Sequence, residues 1–323
     1  MYSILVTGCA GFIGSHLSEK LLEMGNKVIG VDNFDPFYPR EIKEANMSGF
    51  INHPRFVFHE IDLRDSHSME VVGDSIDLIV HLAGKAGVRP SIEDPQGYID
   101  SNISGTQHVL DFMRERNIKK LAFASSSSIY GNAKEVPFEE NQRMDWPVSP
   151  YAFTKKSCEL LNHTYHHLYD MDVLNMRFFT VFGPRQRPDL AIHKFLRLMS
   201  QGHSIPLFGD GTTARDYTFV YDTVDGIVRC CEYLFSHEGV YDTLNLGNST
   251  PVLLNELIDV LSKASGIEPE IEYLPMQAGD VQQTYADIKH ATELVGYHPK
   301  TSFEKGIEKF VDWYHEKEIH TQL

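Results

Sequence analysis

The stretch YAFTK sets Tyr151 and Lys155 four residues apart, which on a helix puts both side chains on one face. A phenol titrates at about 10 in water, too high for a base at neutral pH. A nearby ammonium favours the phenolate, so the pair makes a usable acid/base. Alone, such a pair is equally a surface decoration. Upstream, SSSSIYG sets four serines, residues 125–128, before an aromatic and a glycine. Such a run reads as a linker, a turn or a wall of hydroxyls. It follows the apolar strand pattern KKLAFASS, which places it at a strand end and favours the wall.

A second constellation lies at the start of the chain. TGCAGFIG carries Gly8, Gly11 and Gly14, with Phe12 and Ile13 between the last two. Glycines let backbone turn tightly and approach a pyrophosphate, which then sits at a helix N-terminus. The first gap is one residue longer than in the usual G-x-G-x-x-G. Asp32 closes the next apolar run, KVIGVD, with Asn33 beside it. A carboxylate there accepts both ribose hydroxyls and repels a 2′-phosphate, which favours NAD over NADP; the alternative is a capping or surface Asp. Asp62 and Leu63, in IDL at the end of the third strand pattern, face the adenine. Leu82, Ala83, Gly84 and Lys85, in HLAGKAG at the end of the fourth, border the cofactor. A bound nicotinium ring would further favour the Tyr151 phenolate.

These residues need a scaffold that gathers strand ends. SILVT, KVIGVD, FVFHEIDL, DLIVHLA, KKLAFASS and DVLNMRFF read as buried strands. They alternate with helical runs such as FIGSHLSEKLLEMG, capped by Gly25, IDSNISGTQHVLDFMRERN and SPYAFTKKSCELLNHTYHHLY. The pattern predicts an α/β, Rossmann-type, doubly wound parallel sheet, with ligands at its carboxyl edge. After about residue 179, Pro- and Gly-rich loops predict a smaller α/β substrate lobe. The expected division is 1–179 with a returning segment at about 216–246, and 180–215 plus 247–323 for the second lobe.

The totals exclude several classes. The 29 basic and 45 acidic residues leave a charge of −16, which disfavours nucleic acid and anionic membrane as partners. The hydrophobic and charged fractions, 42% and 23%, are those of an ordinary globular protein. Cys9, Cys158, Cys230 and Cys231 form no CxxC or Cys/His metal pattern, and read as buried free thiols in a reducing compartment. No signal peptide and no 18-residue apolar run is visible, so a cytoplasmic location is expected.

Gly8-x-x-Gly11-x-x-Gly14, Asp32, Ser126, Tyr151 and Lys155 together resemble the extended short-chain dehydrogenase/reductase family, in its nucleotide-sugar epimerase/dehydratase branch. The likeness covers essentially the whole chain. It implies tightly held NAD, a UDP-sugar substrate, and a homodimer through a four-helix bundle built around residues 100–116 and 150–168. It implies that Ser126 binds the sugar oxygen that becomes a carbonyl, and that Tyr151 and Lys155 move its proton and hold the nicotinamide ribose. Asn102 matches a family Asn near the cofactor, with helix packing an equal reading. Family dehydratases carry Asp-Glu where this chain has Ser127-Ser128, and neither serine replaces a carboxylate acid or base. Oxidation and re-reduction at one carbon, an epimerisation, remains.

AGVRPSIEDP, RFFTVFGPRQRPD and MQAGDVQQTYAD resemble UDP-glucuronate 4-epimerases more than galactose-type enzymes. Thr180 stands where the latter usually have Asn; with Ser127 and Ser128 it would ring a C5 carboxylate, or it simply packs beside the nicotinamide. The likeness makes Arg215 a diphosphate ligand and gives Arg89, Arg185 and Arg187 as anion contacts, each with a solvated loop charge as the alternative. Phe208 would border the uracil or fill core, and Asp280 would hold a ribose hydroxyl or cap a turn. Gln277 replaces a galactose-type Arg, and Lys194 stands where uronate enzymes often have Arg, binding phosphate only as a point charge. The remaining alternatives are a UDP-glucose or UDP-N-acetylhexosamine 4-epimerase, a net oxidase or decarboxylase, and a catalytically silent NAD sensor; the complete Ser/Tyr/Lys set argues against the last.

Overall fold

The computed structural model describes residues 1–73, 75–275 and 281–321. Its strands are β1 (Ser3–Thr7), β2 (Lys27–Asp32), β3 (Phe56–Glu60), β4 (Leu78–His81), β5 (Lys120–Ser126), β6 (Asp172–Phe178), β7 (Thr180–Phe182), β8 (Ile205–Phe208), β9 (Ala214–Phe219), β10 (Tyr241–Leu246), β11 (Pro251–Leu253) and β12 (Ile271–Leu274). Its helices are α1 (Phe12–Glu23), α2 (Arg40–Met47), α3 (Val88–Glu93), α4 (Pro95–Tyr98), α5 (Gly105–Glu115), α6 (Pro150–Tyr169), α7 (Ala191–Ser200), α8 (Val220–Ser236), α9 (Leu254–Ser265), α10 (Lys289–Val295) and α11 (Phe303–Thr321).

Seven strands pair in parallel in the order β10-β6-β5-β4-β1-β2-β3. This is the doubly wound sheet that the strand–helix alternation predicts. Both faces are covered, so the strands are apolar on both sides. Ile4 and Val6 join the cluster under α1 and α8, and Leu5 joins the opposite cluster with Val109 and Met113 of α5. Each such Leu, Ile or Val is worth about 1.5–3 kcal/mol relative to exposure. The order reverses between β1 and β4, which opens a crevice at their carboxyl ends.

The chain leaves this sheet after β6 and builds a second core from α7, α9, α11 and strands β7, β8, β9 and β11. There β11, β9 and β7 form one small sheet, and β12 with β8 another. β9 stays in the small sheet, and the return to the large one is made by α8, which packs on α1, and by β10, which pairs with β6.

Two local features depart from the sequence reading. β3 stops at Glu60, because Asp62 accepts the Arg64 amide at 3.0 Å and turns the chain. The helix expected across residues 99–117 opens as a π-turn, residues 99–104, before α5. That extra residue per turn brings Asn102 inward.

Two buried histidines couple the fold to pH. His81 of β4 is 1% exposed and His16 of α1 is 4% exposed. Thr7 Oγ1 accepts the Leu82 and Ala83 amides, each at 3.1 Å, so its own proton points at His81 Nδ1, 2.7 Å away. His81 Nε2–H then donates to Thr106 Oγ1, which donates to the Asn102 carbonyl. This directed chain leaves no place for a second imidazole proton. Burial, with the Lys155 charge adding, pushes His81 down to about 3; burial, with Arg185 adding, pushes His16 down to about 4. Below about pH 6.5 the unfolded chain takes up both protons and the folded chain does not, so stability is lost as pH falls. These two groups are expected to remove about 4 kcal/mol between pH 7 and pH 5. Urea unfolding at the two pH values measures it; equal free energies would contradict the assignment.

Candidate active site

The carboxyl edge of the large sheet surrounds a cavity of about 360 Å³. One wall is the loop between β1 and α1. Gly8 adopts φ +72° and its amide donates to Val31 O at 2.7 Å, while Gly11 N donates to Gly8 O at 3.0 Å. A Cβ on Gly14 would lie 2.0 Å from Gly8 O. α1 begins behind Gly11 without a side-chain cap, so its first amides, beside Phe12 and Ile13, face the cavity. The cradle is therefore all backbone, positive in potential, and fits a dinucleotide pyrophosphate.

Asp32, Asn33, Asp62 and Leu63 line the next stretch. Asp32 is buried and accepts the Ala10 amide at 3.2 Å and the Phe34 amide at 2.8 Å. Lys43 of α2, also buried, stands 3.6 Å from it. Arg64 pairs with Asp62 and pulls its carboxyl down to about 2. Leu82, Ala83, Gly84 and Lys85 form the facing wall. Asn102 lies behind that wall: its side chain accepts from Lys85 N at 2.8 Å and donates to Lys85 O at 3.0 Å and Thr154 Oγ1 at 3.0 Å. It fixes the loop from beneath while packing the helix.

The far end holds Ser126, Tyr151, Lys155 and Thr180 together. Ser149 caps α6 through the Ala152 amide at 3.1 Å, and Pro150 follows at the first helical position, which seats Tyr151 in the first turn. Burial raises the Tyr151 phenol above its usual value, and a hydrogen bond to Ser126 and the Arg187 charge pull it back. The Lys155 ammonium donates to the Ala124 carbonyl at 2.8 Å, and burial lowers its pKa. Arg187, on the same cleft wall, is bonded to Asp189 at 3.0 and 2.7 Å and donates to Ala86 O at 3.4 Å. Ser127 and Ser128 sit on a single 3-10 turn, residues 127–130, after β5. Ser126 Oγ accepts the Ser128 amide and donates to Ser128 Oγ, both at 3.1 Å.

Not all the proposed substrate residues meet here. Arg185, at φ +64°, is not among the cleft-lining residues, and its guanidinium bonds Glu19 of α1 at 2.9 Å. Arg89 and Phe208 lie outside the cleft lining but meet each other, guanidinium over ring at 4.8 Å, across the two lobes. Lys194 is in α7, one turn past Leu190, the residue that lines the cleft. Arg215 is on β9 and donates to Ala214 O at 2.8 Å. Asp280 and Gln277 lie outside the described residues. Sequence reasoning missed Lys43, which only the packing of α2 brings to Asp32. It also missed Tyr98, which packs edge-on to Tyr151 at 6.0 Å and donates to Ala86 O at 3.1 Å.

A family profile described as GDP-mannose 4,6 dehydratase matches residues 5–310. The chain belongs to this family of extended short-chain dehydrogenases/reductases acting on nucleotide sugars. Among its members, the UDP-glucuronate 4-epimerase of Thermodesulfobacterium geofontis is 40% identical over 312 residues, covering 96% of this chain and 95% of that protein. The UDP-glucuronic acid 4-epimerase from Bacillus cereus, solved with UDP-glucuronic acid and NAD, superposes with TM-score 0.91 at 35% identity, over 98% and 99% of the two chains. The UDP-glucose 4-epimerase of Thermotoga maritima, solved with UDP-glucose, gives 0.89 at 31% identity, over 98% and 99%. NAD is the cofactor, the one with which the Bacillus cereus structures were solved, and the glycine loop, Asp32 and residues 82–85 line the cavity that fits it.

Proposed function

We propose that this chain is an NAD-dependent 4-epimerase that interconverts UDP-glucuronate and UDP-galacturonate. One observation carries the choice of epimerisation. The carboxylates on the described cleft wall, Asp32, Asp35 and Asp62, are on or just after β2 and β3, whereas Ser126, Tyr151 and Thr180 bring hydroxyls to the other end. Elimination of water needs a carboxylate acid or base at the sugar, and proton transfer at one hydroxyl does not.

Bound NAD supplies hydride acceptance and return at its nicotinamide. Tyr151 takes the C4 hydroxyl proton and later returns it. Ser126 donates to the oxygen as it becomes a carbonyl, and Lys155 braces the ribose and the β5 end. Arg187 stabilises the phenolate. Because the 4-keto uronate is a β-keto acid, it loses carbon dioxide when its carboxylate bond aligns with the carbonyl π system. Thr180 and Ser127 hold the carboxylate out of that alignment by neutral hydrogen bonds. Thr180→Ala or Ser127→Ala is therefore expected to raise the UDP-pentose share of product severalfold, read by chromatography of the nucleotide sugars; an unchanged ratio would remove this role.

We also propose a homodimer through α5 and α6 of two copies, supported by Phe153, Leu160 and Leu168 standing 45%, 61% and 59% exposed along α6. A cytoplasmic site suits four buried free thiols, and no helix among the described residues is long and apolar enough to cross a membrane. Separate incubation with UDP-glucuronate and UDP-glucose tests the substrate. UDP-galacturonate from the first is expected; a higher kcat/KM for UDP-glucose would give the neutral sugar instead.

A further inference from the structure

Ser125 and Arg177 are direct partners across β5 and β6, as Ser126 and Phe178 are one step later. Both side chains reach one carboxylate, Glu159 of α6. Ser125 Oγ donates to Glu159 Oε1 at 2.7 Å; Arg177 Nε and Nη2 grip Oε1 and Oε2, each at 2.9 Å. Glu159 and Arg177 are each 3% exposed. Glu159 follows Tyr151 and Lys155 at successive four-residue steps, so all three lie along one helix stripe. Arg177 Nη1 also donates to Tyr130 Oη at 2.9 Å, and that hydroxyl donates to Asn245 Oδ1 of β10 at 2.7 Å.

The serine run is thus clamped at both ends by one buried ion pair, at Ser125 before it and Tyr130 after it. Side chains alternate across a strand, so the direction of Ser125 sets that of Ser126; a slip of one residue would exchange them. Arg177 likewise precedes Phe178, Phe179 and Thr180, which line the cleft. A buried pair of this kind contributes little net stability over an apolar replacement, but it specifies register.

We infer that Glu159, Arg177 and Ser125 are positioning residues for the reaction, a register lock that aims Ser126, Tyr151 and Thr180 at the same sugar carbon. Glu159 and Arg177 lie behind the cleft lining, and Ser125, which borders the cleft, commits its hydroxyl proton to Glu159. Their effect is transmitted through the hydroxyl geometry, which tolerates little displacement in a proton-transfer step. The inference rests on the epimerase reading.

Removing one partner of the ion pair leaves a buried charge, so Glu159→Ala is expected to fold poorly. Ser125→Ala is the informative variant, because it deletes one hydrogen bond and leaves the pair intact. It is expected to keep its melting temperature within a few degrees, its NAD content per chain and its KM for UDP-glucuronate, while kcat falls about tenfold. Arg177→Lys, which keeps the charge but loses the fork, is expected to lower kcat by at least as much per NAD-loaded chain. A Ser125→Ala enzyme with wild-type kcat overturns the inference. So does a loss of activity that merely tracks lost folded, NAD-loaded protein. Absence of wild-type turnover in the same assay would instead overturn the substrate reading.

Discussion

Tyr151→Phe should lower kcat by about 10²–10⁴-fold, with melting temperature and NAD content unchanged. The ring is 9% exposed and packs edge-on against Tyr98, and phenylalanine keeps that packing. Only the hydroxyl is lost, together with its bond to Ser126. No other group on the described wall near Ser126 offers the same exchange: Lys155 is committed to Ala124 O, and Arg187 to Asp189. The residual rate reports what orientation and charge achieve without a proton carrier. Stopped samples of substrate and epimer, separated by chromatography, give the number. A loss smaller than about tenfold would move proton transfer to another group.

Gly14→Ala is expected to abolish NAD retention and to lower the melting temperature by several degrees. Its Cβ would stand 2.0 Å from Gly8 O and 2.8 Å from Gly8 C, and backbone atoms cannot swing aside as a side-chain tip does. Either α1 shifts away from β1 or the loop opens, and both destroy the amide cradle. Gly73→Ala is the control, since a Cβ there meets nothing within 4 Å. Cofactor content after denaturation, by absorbance or mass, is the readout. Retention of one NAD per Gly14→Ala chain would show that the close approach of loop and helix is dispensable.

The parts of this site written in short stretches were legible. Strand periodicity located the large sheet, the glycine spacing located one wall of the cavity, and YAFTK with SSSSIYG located the end where Ser126, Tyr151 and Lys155 meet. What escaped depends on contacts distant in sequence. Arg185 and Arg187 are two residues apart in the same Pro-flanked loop, yet Arg185 pairs with Glu19 and Arg187 pairs with Asp189 on the cleft wall. No composition rule separates them. Lys43 reaches Asp32 only because α2 folds back over the loop. Ser125 looks like its three neighbours in sequence, and its assignment needs Glu159, 34 residues on, and Arg177, 18 residues beyond that.

The return of the chain through α8 and β10 has a consequence for biosynthesis. Until residue 246 has left the ribosome, β6 has no neighbour on one side. For that interval its Leu174 and Met176, buried in the finished protein, border an open row of backbone donors and acceptors. A nascent chain stalled between β6 and β10 therefore offers a template for strands of other chains, and the excursion from β7 through β9 and α8 must be threaded out before the first sheet can close.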